Sequence, residues 1–393
     1  MYSQKNQRYT PRSSITITKP TFKKKSVIDI LLYSLFAVYI VFITTQRMFN
    51  HVASSSMLYN IILSGSLTLT LIITVLKYKI DWKYRELLSF IVFFLIGSMI
   101  EVIVKGSFAF ATSFILLIGN IGITYYLFKE KMNLPIIKYL YYFVVSFFLI
   151  SIFMDKNPKF LLENLSSNHI SVIVLYVTVL YYIEMLRESK NWSIIPAIIF
   201  FIISVYAGGR SGIVSSAFMV SGLVFFNKNS NKYVKFIITL AFIVFLSILY
   251  NYSDFRYEIF EKFYTRSIQG EPRINIISSY FSNLSIKSIM FGYEPNYVYS
   301  FFHTGNLHNS FLVLHYRYGI IGIITMIFIV KKILKLFVNR KFYLLVVVMS
   351  ILIRALTDTI LIPFYFDFVL FYLLFYLDFK TNNLRNGDEV YEN

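Results

Sequence analysis

Apolar residues in this chain come in blocks long enough to cross a bilayer, separated by short polar connections. The first block, 26–45, directly follows Lys23-Lys24-Lys25. At 1.5 Å per helical residue it suffices for a hydrocarbon core of about 30 Å. Eleven further blocks follow, near 57–76, 87–104, 108–128, 136–154, 170–187, 193–209, 211–226, 236–251, 309–330, 343–360 and 364–379. The pattern predicts an all-α polytopic membrane protein of about 12 transmembrane helices. It divides into a basic arm (1–25), spans one to nine (26–251), one long polar loop (252–308), spans ten to twelve (309–379) and a polar tail (380–393). The arm is too long for a signal peptide and lacks a small-residue cleavage site, so the first span is expected to be retained.

Composition agrees with the pattern. With 57% hydrophobic and 15% charged residues, too little polar surface exists to coat a soluble domain. The net charge of +18 has a topological explanation, which removes the need for a nucleic-acid partner. With the amino terminus in the cytoplasm, 26 of the 38 Lys and Arg fall on the cytoplasmic side and 10 on the outer side, and the alternation holds at every loop. Both termini are then cytoplasmic and the long loop is extracytoplasmic. The absence of cysteine excludes disulfides, thiolate metal sites and a cysteine nucleophile. The 5 histidines show no metal-ligand spacing, so neither metal nor cofactor is expected. No repeat at a fixed period and no inverted repeat is present.

Arg317 and Arg354 fall inside spans. By span direction, Glu101, Arg210, Arg354, Asp358 and Asp367 all lie in the outer half of their helices, which suggests a water-filled outward cavity. The other reading of Glu101 and Asp367 is that they snorkel from helix ends. Arg354 and Asp358, spaced i, i+4, fit either a structural pair or the cavity. Ala207-Gly208-Gly209-Arg210-Ser211-Gly212 joins two spans with almost no loop. If a helix begins at Ser211, its N–H groups and a fixed guanidinium face one place, as a diphosphate site requires; the plainer reading is a glycine turn with an interfacial Arg. Arg273 in Gly270-Glu271-Pro272-Arg273 precedes Ile274, Ile276 and Ile277, which predicts a short amphipathic segment. Met290-Phe291-Gly292-Tyr293-Glu294-Pro295-Asn296 carries turn chemistry.

His308 precedes the tenth apolar block, with Asn309 and Ser310 able to cap the helix. Taken as one continuous helix, His315 lies about 20° from His308 and Gly319 about 20° to the other side, so one face would carry two imidazoles. Imidazole suits proton removal from a sugar hydroxyl near neutral pH. His51, His169 and His303 have no such setting and read as surface residues.

Taken together, the long outer loop, glycine-flanked Arg210, Arg273 in the loop, the Phe291-Gly292 turn, and Leu307-His308-Asn309-Ser310-Phe311-Leu312 followed by Gly319-Ile320-Ile321-Gly322 resemble the O-antigen ligase and Wzy-type polysaccharide polymerase superfamily. The resemblance covers about residues 200–360. It implies a GT-C-type, metal-independent glycosyltransferase of the cytoplasmic membrane that joins oligosaccharides carried on undecaprenyl diphosphate. Arg210 and Arg273 would bind the donor diphosphate and His308 would be catalytic, with Arg354, Asp358, His315 and Glu101 as cavity residues. Membrane lipids, and a chain-length regulator and flippase of the same pathway, are the implied partners. Where many members carry an acid nine positions after the histidine, this chain has Arg317. The Ile, Lys, Asn, Tyr and Phe bias favours a capsule or exopolysaccharide polymerase over a ligase that needs a lipid A-core acceptor. From another class, a lipid-linked oligosaccharide flippase would share the spans and the charged cavity but would not need the loop ending in His.

Overall fold

The computed structural model describes residues 26–48, 56–79, 84–106, 111–130, 133–162, 166–226, 272–293 and 307–384. The basic arm, the expected span 236–251, loop residues 252–271 and 294–306, and tail residues 385–393 lie outside them.

Over the described residues the chain is all-helical. The helices are α1 (Val27–Met48), α2 (Ser56–Tyr78), α3 (Arg85–Lys105), α4 (Ala111–Lys129), α5 (Pro135–Phe153), α6 (Asn168–Arg187), α7 (Ile195–Ala207) and α8 (Arg210–Phe226). After the undescribed stretch come α9 (Pro272–Ser282), α10 (Ile286–Phe291), α11 (Ser310–Tyr318), α12 (Ile320–Val338), α13 (Phe342–Ala355) and α14 (Asp367–Leu384). Proline opens α5, α7 and α9 at or next to the first helical position, where its missing N–H has no intrahelical partner to lose.

Four helices are long and apolar enough to cross a membrane: Val27–Met48, Arg85–Val104, Pro135–Phe153 and Asn168–Arg187. Their burial identifies the solvent. Arg85–Val104 has mean hydropathy 2.6 and is 29% buried, whereas Asn168–Arg187 has mean hydropathy 1.8 and is 83% buried. The more apolar helix is the peripheral one, with Ile103 at 77% exposure, and Phe153 at the end of α5 reaches 88%. Water would penalise that inversion, and lipid tails favour it. This is a helical membrane protein.

The helix α6 forms the axis, packed by α5, α7, α1, α14, α8 and α13. Beside it α2 and α4 lie in close contact, because Gly119 and Gly122 of α4 leave room for the side chain of Leu67 and the backbone of Leu71. Asn120 ties α4 to the start of α14, donating to Phe364 C=O at 3.0 Å and accepting from Phe368 N–H at 3.0 Å.

From α1 to α8 successive helices run in alternate directions, so the bundle has two chemically distinct ends. At one end Lys77 of α2 meets Asp29 of α1 and Glu130 after α4; Arg187 of α6 pairs with Glu184 at 2.7 Å; and Lys332 of α12 meets Glu86 of α3 and Asp378 of α14. This is the ion-pair end. The other, where α1 and α13 stop and α6, α8 and α11 begin, is the arginine end.

One expected span differs in kind. The block 309–330 is not a continuous helix: α11 stops at Tyr318 and α12 starts at Ile320, with Gly319 between them at φ 53° and ψ −128°. Only glycine adopts that backbone without strain. The break is held from outside, since a Cβ on Gly319 would strike the backbone of Met290 and one on Gly292 would strike that of Tyr316. Tyr293 N–H donates to Tyr316 C=O at 3.0 Å across the same contact. Thus the two glycine motifs noted in the sequence are the two halves of one backbone junction between α10 and the α11–α12 corner. Around it Ile276, Tyr280, Tyr293, Leu307, Leu312 and Tyr316 form a second, small core.

Candidate functional site

The arginine end is assembled by contacts between residues far apart in sequence. Arg354, 1% exposed in the last turn of α13, donates from Nη2 to the carbonyl of Asn168 at 2.9 Å and pairs with Asp358 at 2.8 Å. Asn168 opens α6, and its side chain fills the space beside Gly209 that any Cβ would occupy. Gly212 likewise accepts Ser171 of α6. With Gly208 closing α7 at φ 67°, these glycines set the first turn of α8 against the first turn of α6, and Arg210, half-buried, is the first residue of α8. The helix therefore starts one residue earlier than the sequence suggests, with the guanidinium on its opening turn.

From Asp358 the contacts lead on to His308. The carbonyl of Asp358 accepts from Ser310 Oγ at 2.6 Å, and Ser310 Oγ in turn accepts the N–H groups of Ile360 at 2.8 Å and Leu361 at 3.2 Å. Asn309 Nδ2 donates to Leu356 C=O at 3.0 Å, while its Oδ1 accepts the N–H groups of Phe311 and Leu312. Asn309 is thus the N-cap of α11, in extended conformation. His308 lies just before it, half-buried and at φ 49°.

That conformation sets His308 apart. Among the described residues, Lys79, Asp155, Ser189 and Arg340 also have positive φ without being glycine. Each of those four follows a helix C-terminus, where left-handed closure is ordinary. His308 alone precedes a helix, in a backbone state that costs a non-glycine residue about 1–2 kcal/mol. The 356–361 segment holds it there through Asn309 and Ser310.

Two expectations about this histidine are corrected by the same fact. His308 is outside α11, so it shares no helical face with His315, and Gly319 is a break and not a third member of that face. His315 is instead 6% exposed against α9, with Nδ1 at 2.6 Å from the Tyr280 hydroxyl and Nε2 at 3.4 Å from Ile289 C=O. Burial pushes the Tyr280 hydroxyl above its ordinary range, so it stays a neutral phenol beside Nδ1. These two polar groups and Asn309 lie along an otherwise apolar groove of about 530 Å³ lined by Phe281, Phe311 and Leu356.

The remaining expected residues separate. Asp367 neither snorkels nor lines a cavity: it is fully buried, and its carboxylate accepts the N–H groups of Ile362 at 3.0 Å and Phe364 at 2.6 Å ahead of α14. Glu101 lies in the last turns of α3 and Arg273 in the first turn of α9; their side chains lie outside the described residues. Helix α9 supplies the short amphipathic segment expected after Arg273. Arg317 points away from His315 and donates to Ser113 Oγ at 3.0 Å.

Two residues escaped the sequence reading. His169, taken as a surface residue, is half-buried in the first turn of α6 within electrostatic reach of Arg47, Asp358 and Arg354. Arg47, in the last turn of α1, lies over the rings of Phe364 at 5.4 Å and Tyr365 at 4.9 Å. Span direction places both at the Arg210 end, and that was the available signal. His51 and His303 lie outside the described residues, and no metal-sized cluster of His, Asp and Glu occurs among those described.

Comparison with family models, curated proteins and solved structures gives no match to this chain. The chemistry of the arrangement therefore carries the functional argument. Helices α6, α8 and α11 are among those that begin at the arginine end and direct their positive dipole ends there, although Asn309 already takes the Phe311 and Leu312 N–H groups of α11. Arg47, Arg210 and Arg354 add guanidinium groups to the same end. Such a surface favours an anion with several oxygens, and a phosphoryl group fits it through paired N–H donors. The imidazole of His308 at its edge adds a group able to move a proton at neutral pH.

Proposed function

We propose that this chain is a polysaccharide polymerase, a metal-independent glycosyltransferase of the C-type membrane class acting on oligosaccharides linked to undecaprenyl diphosphate. In this reading it crosses the cytoplasmic membrane about 12 times with both termini in the cytoplasm, as the sequence pattern suggests, and the arginine end faces outward. The observation that supports it most is the backbone of His308: a non-glycine residue held at positive φ ahead of a helix, tied through Ser310 and Asp358 to the buried guanidinium of Arg354, is strain of the kind functional sites store.

The chemistry balances without a covalent enzyme intermediate. A hydroxyl of the acceptor sugar gives its proton to His308 as its oxygen bonds to the anomeric carbon of the donor. The bond from that carbon to the diphosphate oxygen breaks, and the lipid diphosphate leaves with the electron pair. Arg210 and Arg273 neutralise the departing charge, while the chain's fixed N–H donors need no reorganisation during the step. Lipid diphosphate is already a good leaving group, so orientation and charge are what the protein must supply.

The test is incubation of purified chain with a lipid-diphosphate-linked repeat unit, followed by gel separation. A ladder of products is expected from the wild type, with loss of at least about 100-fold in ladder formation on single replacement of Arg210, Arg273 or His308 by Ala. Wild-type ladders from all three folded variants would overturn the assignment of these residues, and transport of the substrate without a ladder would favour a flippase.

A further inference from the structure

A second cavity, about 430 Å³, lies away from the His315 groove, between α2, α4 and the segment ahead of α14. Residues two apart on a helix point about 160° apart, which is why His315 and Arg317 serve different spaces. Leu67, Leu116 and Pro363 wall this cavity, and its polar groups are Arg317, Ser113 and Ser64. The Tyr365 ring completes the lining, and Arg47 lies over that ring at 4.9 Å. The size falls within the roughly 300–1,000 Å³ typical of small-molecule sites.

The chemistry of the polar edge is one-sided. A guanidinium has N–H donors and no acceptor, and that of Arg317 donates to Ser113 Oγ at 3.0 Å. A ligand with acceptor oxygens suits the Arg317 guanidinium, and the second guanidinium behind Tyr365 adds positive potential to the wall. The apolar sides and the flat ring suit the face of a sugar. We propose that Arg317, Ser113 and Ser64 form an oxyanion subsite, separate from the Arg210–His308 region, that recognises a carboxylate or phosphate substituent on a sugar. That this sugar belongs to the transferred saccharide rests on the polymerase reading; the oxyanion site itself does not. It gives the chain a preference for an acidic repeat unit.

The experiment is ligand-observed NMR with the full chain in nanodiscs, using glucose, glucuronate and glucose 1-phosphate as probes. Glucuronate or glucose 1-phosphate is expected to bind at least tenfold more tightly than glucose. Arg317→Gln should abolish that preference and Arg317→Lys should keep part of it. Arg210→Ala should leave the Arg317-dependent part intact. Preference for glucuronate alone identifies a carboxylate as the natural group, and preference for glucose 1-phosphate alone identifies a phosphate. Equal affinity for glucose, or an anion preference unchanged in folded Arg317→Gln, overturns the proposal. If Arg317→Gln fails to fold, Ser64→Phe, which fills the cavity and keeps the guanidinium, decides: retained preference overturns it, lost preference supports it. Binding is read without turnover. A chain that makes no ladder yet keeps the Arg317-dependent preference loses the polymerase reading only, and one that makes a ladder without the preference loses this subsite only.

Discussion

The two ends of the bundle use charge in opposite ways. At the ion-pair end, cations from one helix meet carboxylates from another: Lys77 with Asp29, Lys138 with Glu188 at 2.6 Å, Lys332 with Glu86 and Asp378. Lys332, 2% exposed, also lies over the Phe328 and Phe375 rings, so one ammonium ties α3, α12 and α14 together. At the arginine end Asp358 answers Arg354, but Asp367 spends its carboxylate on backbone N–H groups, and the helix N-termini there add further positive potential. Charge that is matched across helices holds a fold in register. Charge gathered with N–H donors of the same sign prepares a place for an anion. We read the first arrangement as structural and the second as the anion site proposed above.

Substitutions at each end can break that distinction. The largest loss of stability is expected for Lys332→Met, which removes the buried cation that Glu86 and Asp378 share and leaves Asp378 with Lys335 alone. It should cost about 2–3 kcal/mol, toward the low side for a buried pair because Glu86 keeps part of its solvent. Thermal unfolding in detergent measures it, and an unchanged midpoint would show that the ion-pair end is not structural. Next is Gly319→Ala, which places a methyl group against the Met290 backbone and forces φ 53° on alanine. A loss of about 1–2 kcal/mol is expected from backbone conformation alone, with the steric contact adding to it. Enhanced hydrogen exchange in residues 286–293 would locate the damage.

A smaller effect separates the two roles of Arg354. Arg354→Lys retains the charge but not the planar fork, so a drop of about 1 kcal/mol is expected with partial loss of ladder formation. A variant that loses stability and keeps full activity would move Arg354 to the structural class. The smallest expected effect is Tyr280→Phe, which removes the hydroxyl bonded to His315 Nδ1. A loss of about 1 kcal/mol and full-length ladders are expected, because His315 is outside the proposed transfer site. A ladder lost at unchanged stability would bring the Tyr280–His315 pair into the reaction.

Much of the helical layout was legible from hydropathy, since bilayer-facing helices must be apolar over nearly their whole length. The apolar blocks from 26–45 to 211–226 coincide with α1 through α8 to within a few residues. The corner at Gly319 was not legible. The residues on both sides are good helix formers, and the cause of the break is the backbone of residues 290–292, brought there by the loop. Nor was the state of His308, because Asn309 and Ser310 were equally plausible caps; the choice is made by Leu356 and Asp358, some fifty residues later in sequence. His169 was read as surface for the same reason: its charged neighbours come from α1 and from the region of Arg354 and Asp358. Local pattern reveals where helices lie in the membrane, and long-range contacts decide which side chains meet at their ends.

The Gly292–Gly319 junction has a consequence for how the chain tolerates variation. Its two partners touch through main-chain atoms, so exchanges of side chain elsewhere in the segment leave the seam where it is. Changes of length in α9 are not free in the same way, because Tyr280 bonds His315 of α11 and its carbonyl accepts from the Tyr293 hydroxyl. Side chains along this seam can change, whereas the main chain that forms it cannot move without moving α11.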